Sequence, residues 1–159
     1  MRVLAIDPGY DRLGVAVIER AEGGERLLFS ICLGSSRGAP LSTRLGELGK
    51  ELVSLFTQYT PTHLAIETLF FNKNVKTAID VAQARGMVLY LAELHRCKIC
   101  EYSPQAIKVA ITGYGNSDKT AVIAMTKRLI KNAPTSAHDD EYDAIAVGVT
   151  CLAHERLGR

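Results

Sequence analysis

The sequence predicts an α/β fold, a mixed five-stranded sheet with helices on both faces. Three observations carry this. The chain opens with three consecutive strand patterns, a strand–helix–strand crossover follows in its middle, and helical patterns complete the order βββαβαβααα. With 159 residues, the whole of 1–159 is expected to form one domain.

The elements follow in order. Val3 to Ile6 is a short apolar run ended by Pro8-Gly9, the pattern of a buried strand and its turn. Gly14 to Ile18 reads as a second strand, and Arg26 to Leu33, after the Gly23-Gly24 turn, as a third. These three are expected to pair antiparallel. Leu41, Leu45, Leu48, Leu52, Leu55 and Tyr59 recur at steps of three and four, one face of an amphipathic helix that Pro61 terminates. His63 to Glu67 returns as an apolar strand with a carboxylate at its end. A second long helix is expected from about Val75 to Arg96, with Ile79, Ala82, Gly86, Leu89 and Leu94 among its contact residues, and Lys98 to Tyr102 as the fifth strand. Ser103 and Pro104 form an N-cap and first-turn pair for a short helix that ends before Gly113. Ser117 is expected to cap a helix through about Lys131, and the last helix to start near Ser136 and carry Ile145, Val149 and Leu152.

With 47% hydrophobic and 23% charged residues, the composition fits a soluble globular protein and argues against disorder, a collagen-like repeat or a disulfide mini-protein. The longest uncharged stretch, Leu52 to Ile66, contains Gln58, Thr60, Pro61 and His63 and falls short of the roughly 20 apolar residues of a membrane span. Asp7, Pro8 and Gly9 interrupt the apolar opening before a signal-peptide core can form. A cytoplasmic location is expected, with Cys32, Cys97, Cys100 and Cys151 as free thiols. Cys97 and Cys100 make a lone C-x-x-C beside His95 with no second pair at zinc-finger spacing, which reads as half-buried structural cysteines.

The net charge of +2 is uninformative, but its distribution is not. Between Thr68 and Pro134 ten Lys and Arg face four Asp and Glu, while acids crowd at Asp139, Asp140, Glu141 and Asp143. A basic surface beside an acidic focus suits a metal-dependent enzyme acting on a polyanion.

Four carboxylates stand at informative places. Asp7 and Glu67 end the first and fourth strands, so parallel pairing of those strands puts both at the sheet edge where α/β folds place ligands. Asp140 and Asp143 are three apart on the first turn of the last helix and share a face. Clustered carboxylates repel, and divalent cations resolve the conflict. Hard oxygen donors without His or Cys suit Mg²⁺ or Mn²⁺, and two such ions assist phosphodiester hydrolysis. Taken singly, Asp7 also fits an Asp-Pro-Gly turn, Glu67 an ordinary strand end, and the acidic run a complement to a helix dipole.

Five motifs in order speak more specifically. Ile6-Asp7-Pro8-Gly9 through Gly14-Val15-Ala16-Val17-Ile18, Ala65-Ile66-Glu67 with Phe70, Gln83-Ala84-Arg85-Gly86, Gly113-Tyr114-Gly115 to Lys119, and Asp140-Glu141-Tyr142-Asp143-Ala144 together resemble the RuvC family of bacterial Holliday-junction resolvases. The resemblance implies an RNase H-like fold, a homodimer and paired nicks in opposing strands of a four-way DNA junction. It matches Asp7, Glu67, Asp140 and Asp143 to the family's catalytic, metal-binding carboxylates, with Mg²⁺ as cofactor, Mn²⁺ as its substitute and two ions per site. Asp140 is preferred over Asp139 as the third ligand because the D/H-x-x-D-A spacing fixes it relative to Asp143, and because Asp139 projects about 100° away around the helix. His138 reads as a structural or solvated helix-entry residue. Phe70 matches a base-contacting aromatic at the crossover, where stacking tolerates any base, while Phe71 anchors its loop. Lys108 and Lys119 match basic residues near the scissile phosphate. The Gln83–Gly86 helix is implied to join the dimer interface, and the branch-migration proteins RuvA and RuvB are implied partners.

The runner-up readings are another RNase H-like nuclease acting on RNA-containing substrates and a non-catalytic junction-binding module. An actin-like ATPase or sugar kinase also begins Asp-x-Gly after a strand, but needs two lobes and a small hydroxyl residue where this chain has Tyr10, Asp11 and Arg12.

Overall fold

The computed structural model describes residues 1–69 and 75–157. Strands β1 (Arg2–Asp7), β2 (Arg12–Ala21) and β3 (Gly24–Gly34) form an antiparallel meander. Helix α1 (Leu41–Tyr59) leads to β4 (His63–Glu67), and α2 (Val75–Leu94) to β5 (Lys98–Tyr102). Then follow α3 (Pro104–Thr112), α4 (Lys119–Leu129) and α5 (Asp139–Leu157). The five strands lie in the order β3-β2-β1-β4-β5, with β4 parallel to both β1 and β5. The mixed sheet expected from the strand–helix–strand crossover is thus present.

Strand alternation divides the core into two layers. Leu4 and Ile6 of β1 pack with Leu48, Leu52 and Phe56 of α1 and Val88 and Ala92 of α2. Val3 and Ala5 point the other way, toward Ile145 and Leu152 of α5 and Ile107 and Ile111 of α3. Each fully buried Leu or Ile contributes about 1.5–3 kcal/mol relative to exposure. Helix α5 is apolar on nearly every side from Ala144 to Leu152 because it lies between the sheet and the outer helices. Its close seating depends on Gly148, where a Cβ would meet Ile18 Cδ1 at 2.6 Å and Ala5 Cβ at 3.0 Å.

Some boundaries differ from the sequence expectation. Asp118, not Ser117, caps α4, accepting from Ala121 N–H. The Ser117 hydroxyl instead bonds Thr112 Oγ1 at 2.7 Å and the Tyr114 carbonyl at 2.9 Å. Helix α4 ends at Leu129, because Ile130 is extended and Lys131 bridges to Arg26 of β3. Helix α5 starts at Asp139 rather than near Ser136. On α2 the buried residues are Ala84, Val88, Leu91 and Ala92, whereas Ile79, Ala82, Gly86 and Leu94, expected as contact residues, face outward. Apolar residues ring this helix, so periodicity did not orient it.

Candidate active site

Asp7 and Glu67 end neighbouring parallel strands, one pair beyond the Ile6–Ile66 partners. Asp7 continues the Val3–Ala5 series on the α5 side of the sheet. Opposite it in β2 stands Gly14, and the missing side chain there decides where α5 begins. A Cβ on Gly14 would lie 2.0 Å from the Asp140 carbonyl oxygen and 3.1 Å from Asp7 Cβ. The first turn of α5 therefore rests directly on the sheet beside Asp7. Edge strand β3 tethers that turn further: Ser30 Oγ donates to Glu141 at 3.0 Å and the Cys32 thiol donates to Asp140 Oδ2 at 3.4 Å.

The electrostatics at this end of the sheet are those of acids sharing too little water. Burial, followed by the charges of Asp143, Glu67 and Asp140, pushes the Asp7 carboxyl up to about 8, with Lys119 opposing. Glu67 is pushed up to about 7 by burial and by Asp143, against the pull of Lys108 and Lys119. Burial also raises Asp143, although Lys119 bonds it and draws it back. Lys119 Nζ lies 3.0 Å from Asp143 and 3.3 Å from Asp139, whereas Asp140 turns away toward Arg12, whose Nε is 3.0 Å from Oδ2. Asp139 and Asp140 thus serve different sides of the helix, as the turn per residue requires.

Glu67, Lys108, Lys119 and Asp143 line a cleft of about 200 Å³ between α3, α4 and α5. The Ser103 N-cap sets the start of α3, and hence Lys108, by accepting from Ala106 N–H at 3.1 Å. Asp7, Glu67, Asp140, Asp143, Lys108 and Lys119 therefore occupy one end of the sheet. Among the described residues, no three His, Cys, Asp or Glu side chains are gathered closely enough to enclose an ion; Arg12 pairs with Asp140 and Lys119 with Asp143. Phe70 and Phe71 lie outside the described residues.

Sequence reasoning missed the supports of this site. Gly14, Cys32 and Arg12 reach the acidic turn only through cross-strand pairing, and the Cys32–Gly14–Asp7 row is legible only once the register is known. Buried Arg44 of α1 pins the loop after Asp7: its Nε donates to Ser35 Oγ at 2.9 Å, a terminal nitrogen donates to the Tyr10 carbonyl at 3.3 Å, and it pairs with Asp11. All four cysteines are free, and Cys97 and Cys100 are buried. The Cys97 thiol donates to the Pro61 carbonyl at 3.2 Å, the structural role expected of it.

Residues 3–151 match the profile of the family described as crossover junction endodeoxyribonuclease RuvC. The chain belongs to the RuvC family. A RuvC described as a crossover junction endodeoxyribonuclease from Brevibacillus brevis is 37% identical over 94% of this chain and 90% of its own. One from Caldicellulosiruptor saccharolyticus is 40% identical with the same coverages. Thermus thermophilus RuvC, solved in complex with Holliday junction substrate, superposes with a TM-score of 0.91 at 27% identity, covering 99% of this chain and 96% of that one. The RNase H-like fold of RuvC proteins, implied by the sequence motifs, is therefore the fold of this chain.

Proposed function

We propose that this chain is a crossover junction endodeoxyribonuclease that resolves four-way DNA junctions by paired symmetric nicks, hydrolysing phosphodiester bonds during recombination and repair. The observation that carries the reading is the seating of Asp7 and Glu67, at adjacent strand ends, beneath the acidic first turn of α5 in a chain of RuvC sequence. RNA-containing substrates are not favoured, since the family relatives are named for junction DNA.

In this reading Asp7, Glu67, Asp140 and Asp143 hold Mg²⁺, or Mn²⁺ in its place, as a pair of ions. The donors fit: they are oxygen-only, partly buried, and costly to ionise together, as the raised Asp7 and Glu67 values express. An enclosed cage is not required, because Mg²⁺ keeps several waters and is commonly held by one or two carboxylates together with substrate phosphates. When bound, such ions activate a water and neutralise charge on the leaving 3′ oxygen. The residues themselves supply the rest. Lys108 and Lys119, on one flank of the acids, hold the scissile phosphate and offset its charge in the transition state. Phe70 stacks on an unpaired base at the crossover, in keeping with the family resemblance.

A second copy is proposed to dock on α2. Ile79, Tyr90 and Leu94 are exposed along one side of that helix, with Gly86 open among them, an apolar stripe of the kind a two-fold partner covers. A two-fold enzyme presents one active site to each of two equivalent strands. RuvA and RuvB are the protein partners this reading implies, and the cytoplasm its compartment; among the described residues no helix is long and apolar enough to cross a membrane.

The test compares nicking of a four-way junction, a linear duplex and an RNA–DNA hybrid at fixed salt in Mg²⁺, with Asp7→Asn as control. Symmetric cuts confined to the junction and lost in the variant support the reading. Equal cutting of the hybrid, or binding without nicking in Mn²⁺, overturns it.

A further inference from the structure

Among the described residues, Arg12 is the one cation paired with the acidic turn that the proposed mechanism leaves unused. It opens β2 directly after the loop that follows Asp7, and its Nε sits 3.0 Å from Asp140 Oδ2. The two partners are unequally placed: the Arg12 side chain is 55% exposed, Asp140 only 22%. One end of this ion pair is thus held inside the site while the other stands in solvent, where an ion pair is weak and readily exchanged. The loop that carries Arg12 is not free to drift, since buried Arg44 bonds Ser35 Oγ and the Tyr10 carbonyl, pairs with Asp11, and lies over the Tyr10 ring at 4.7 Å. Arg12 is an exposed head on a fixed base.

Its position also completes a pattern. Lys108 and Lys119 line the cleft on the α3–α4 flank of the acids, with Glu67 and Asp143. Arg12 stands on the opposite flank, at the β2 side, with Asp140. A strand laid across the acid cluster from one flank to the other passes the lysines first and Arg12 last.

We propose that Arg12 is an exchangeable counter-ion that becomes a DNA contact: it neutralises Asp140 in the metal-free protein, and on divalent-ion binding leaves that carboxylate to take a backbone phosphate on the far side of the scissile position from Lys108 and Lys119. The inference rests on the functional reading above. It makes metal and DNA binding respond oppositely to one side chain, because Arg12 competes with the metal for Asp140 yet attracts the phosphate. A guanidinium suits both partners, carboxylate and phosphate having similar acceptor geometry.

The experiment uses full-length Arg12→Gln and Arg12→Lys. Mn²⁺ affinity is read by calorimetry or by the spin-resonance signal of free Mn²⁺, without DNA. The salt dependence of four-way-junction binding is read in Ca²⁺ and again in EDTA. In Arg12→Gln, Mn²⁺ is expected to bind roughly two- to fivefold more tightly, the worth of an exposed ion pair. The slope of log affinity against log salt in Ca²⁺ is expected to fall by about 0.9 for each site engaged, and to change little in EDTA, where Arg12 remains on Asp140. Arg12→Lys should restore most of both. A purely structural Arg12 would move affinity for both ligands the same way, or neither. Unchanged or weaker Mn²⁺ binding in Arg12→Gln, or an unchanged slope in Ca²⁺, overturns the proposal. Asp7→Asn separates the two levels: if it leaves Mn²⁺ affinity untouched, the acid cluster is not the metal site and the inference falls with that reading, whereas a loss there with an inert Arg12→Gln refutes Arg12 alone.

Discussion

Gly14 lies beneath the backbone carbonyl of Asp140, so close that a methyl group on its Cα would come within 2.0 Å of that oxygen. A backbone atom at the start of a buried helix has little room to retreat. Gly14→Ala is therefore expected to lift the first turn of α5 away from Asp7. Overpacking of this kind costs about 1–3 kcal/mol, to be read from thermal unfolding. Displacing reactive groups by about 1 Å costs roughly 10²-fold in rate, to be read from single-turnover junction nicking. Wild-type nicking by this variant would show that the close approach is incidental.

The raised acids make stability depend on pH in a defined direction. Asp7 titrates at about 8 in the fold against 3.8 ordinarily, and Glu67 at about 7 against 4.5. Between those limits the unfolded chain binds fewer protons than the folded one, so the metal-free protein loses stability as pH rises from about 4 to about 8. Denaturant titrations in EDTA should show this fall. Asp7→Asn, which removes the largest contributor and relieves the repulsion on its neighbours, should reduce it, and saturating Mg²⁺ should flatten it in the wild type.

Lys119 bonds Asp143 and Asp139 and holds the Asp143 carboxyl down against its burial. Lys119→Gln should let the Asp143 value climb, moving the acid limb of the pH–rate profile to higher pH. Loss of a positive charge aimed at the reacting phosphate should also lower the plateau by about 10²–10³-fold. Lys119→Arg should recover part of the limb shift, which mere misfolding would not allow.

Gly148 tests whether the deep seating of α5 matters to the site. Gly148→Leu forces atoms against Ile18 and Ala5, already 2.6 and 3.0 Å from an ideal Cβ. A cost of about 1–3 kcal/mol is expected in urea unfolding, together with slower nicking, because α5 carries Asp140 and Asp143 as one rigid body.

Tyr90→Asp places a charge in the exposed stripe of α2. In sedimentation velocity the wild type is expected to run as a dimer and the variant as a monomer, and junction cuts should become single and unpaired. A dimeric variant with symmetric cuts would move the interface elsewhere.

How far the fold could be read from the residues depended on where packing was one-sided. Helix α1, apolar along Leu48, Leu52 and Leu55 and polar opposite, announced its buried face. Helices α2 and α5 did not, one because a stripe stays exposed and the other because both sides are covered. The strand ends at Asp7 and Glu67 were legible because apolar runs stop there at a carboxylate. The choice of Asp118 over Ser117 as cap was not, since both side chains suit the role and only the Thr112 hydroxyl, bonding Ser117, separates them. Arg12, Gly14 and Cys32 carry no local signal; their meaning comes from neighbours more than a hundred residues away in the chain, at Asp140.

Strand β3 ends the sheet on one side, eleven residues long and paired on its other side only with β2. Lys131 closes part of that open margin: Leu27 N–H donates to its carbonyl at 2.9 Å, its own N–H donates to the Glu25 carbonyl at 3.4 Å, and its Nζ reaches the Gly23 carbonyl at 2.8 Å. Unsatisfied strand margins invite fibrous aggregation by templating foreign chains. By spending the residues after α4 as a stopper along this margin, the molecule discourages such polymerisation and leaves helical surface, where contact is saturable and closed, for the second copy proposed above.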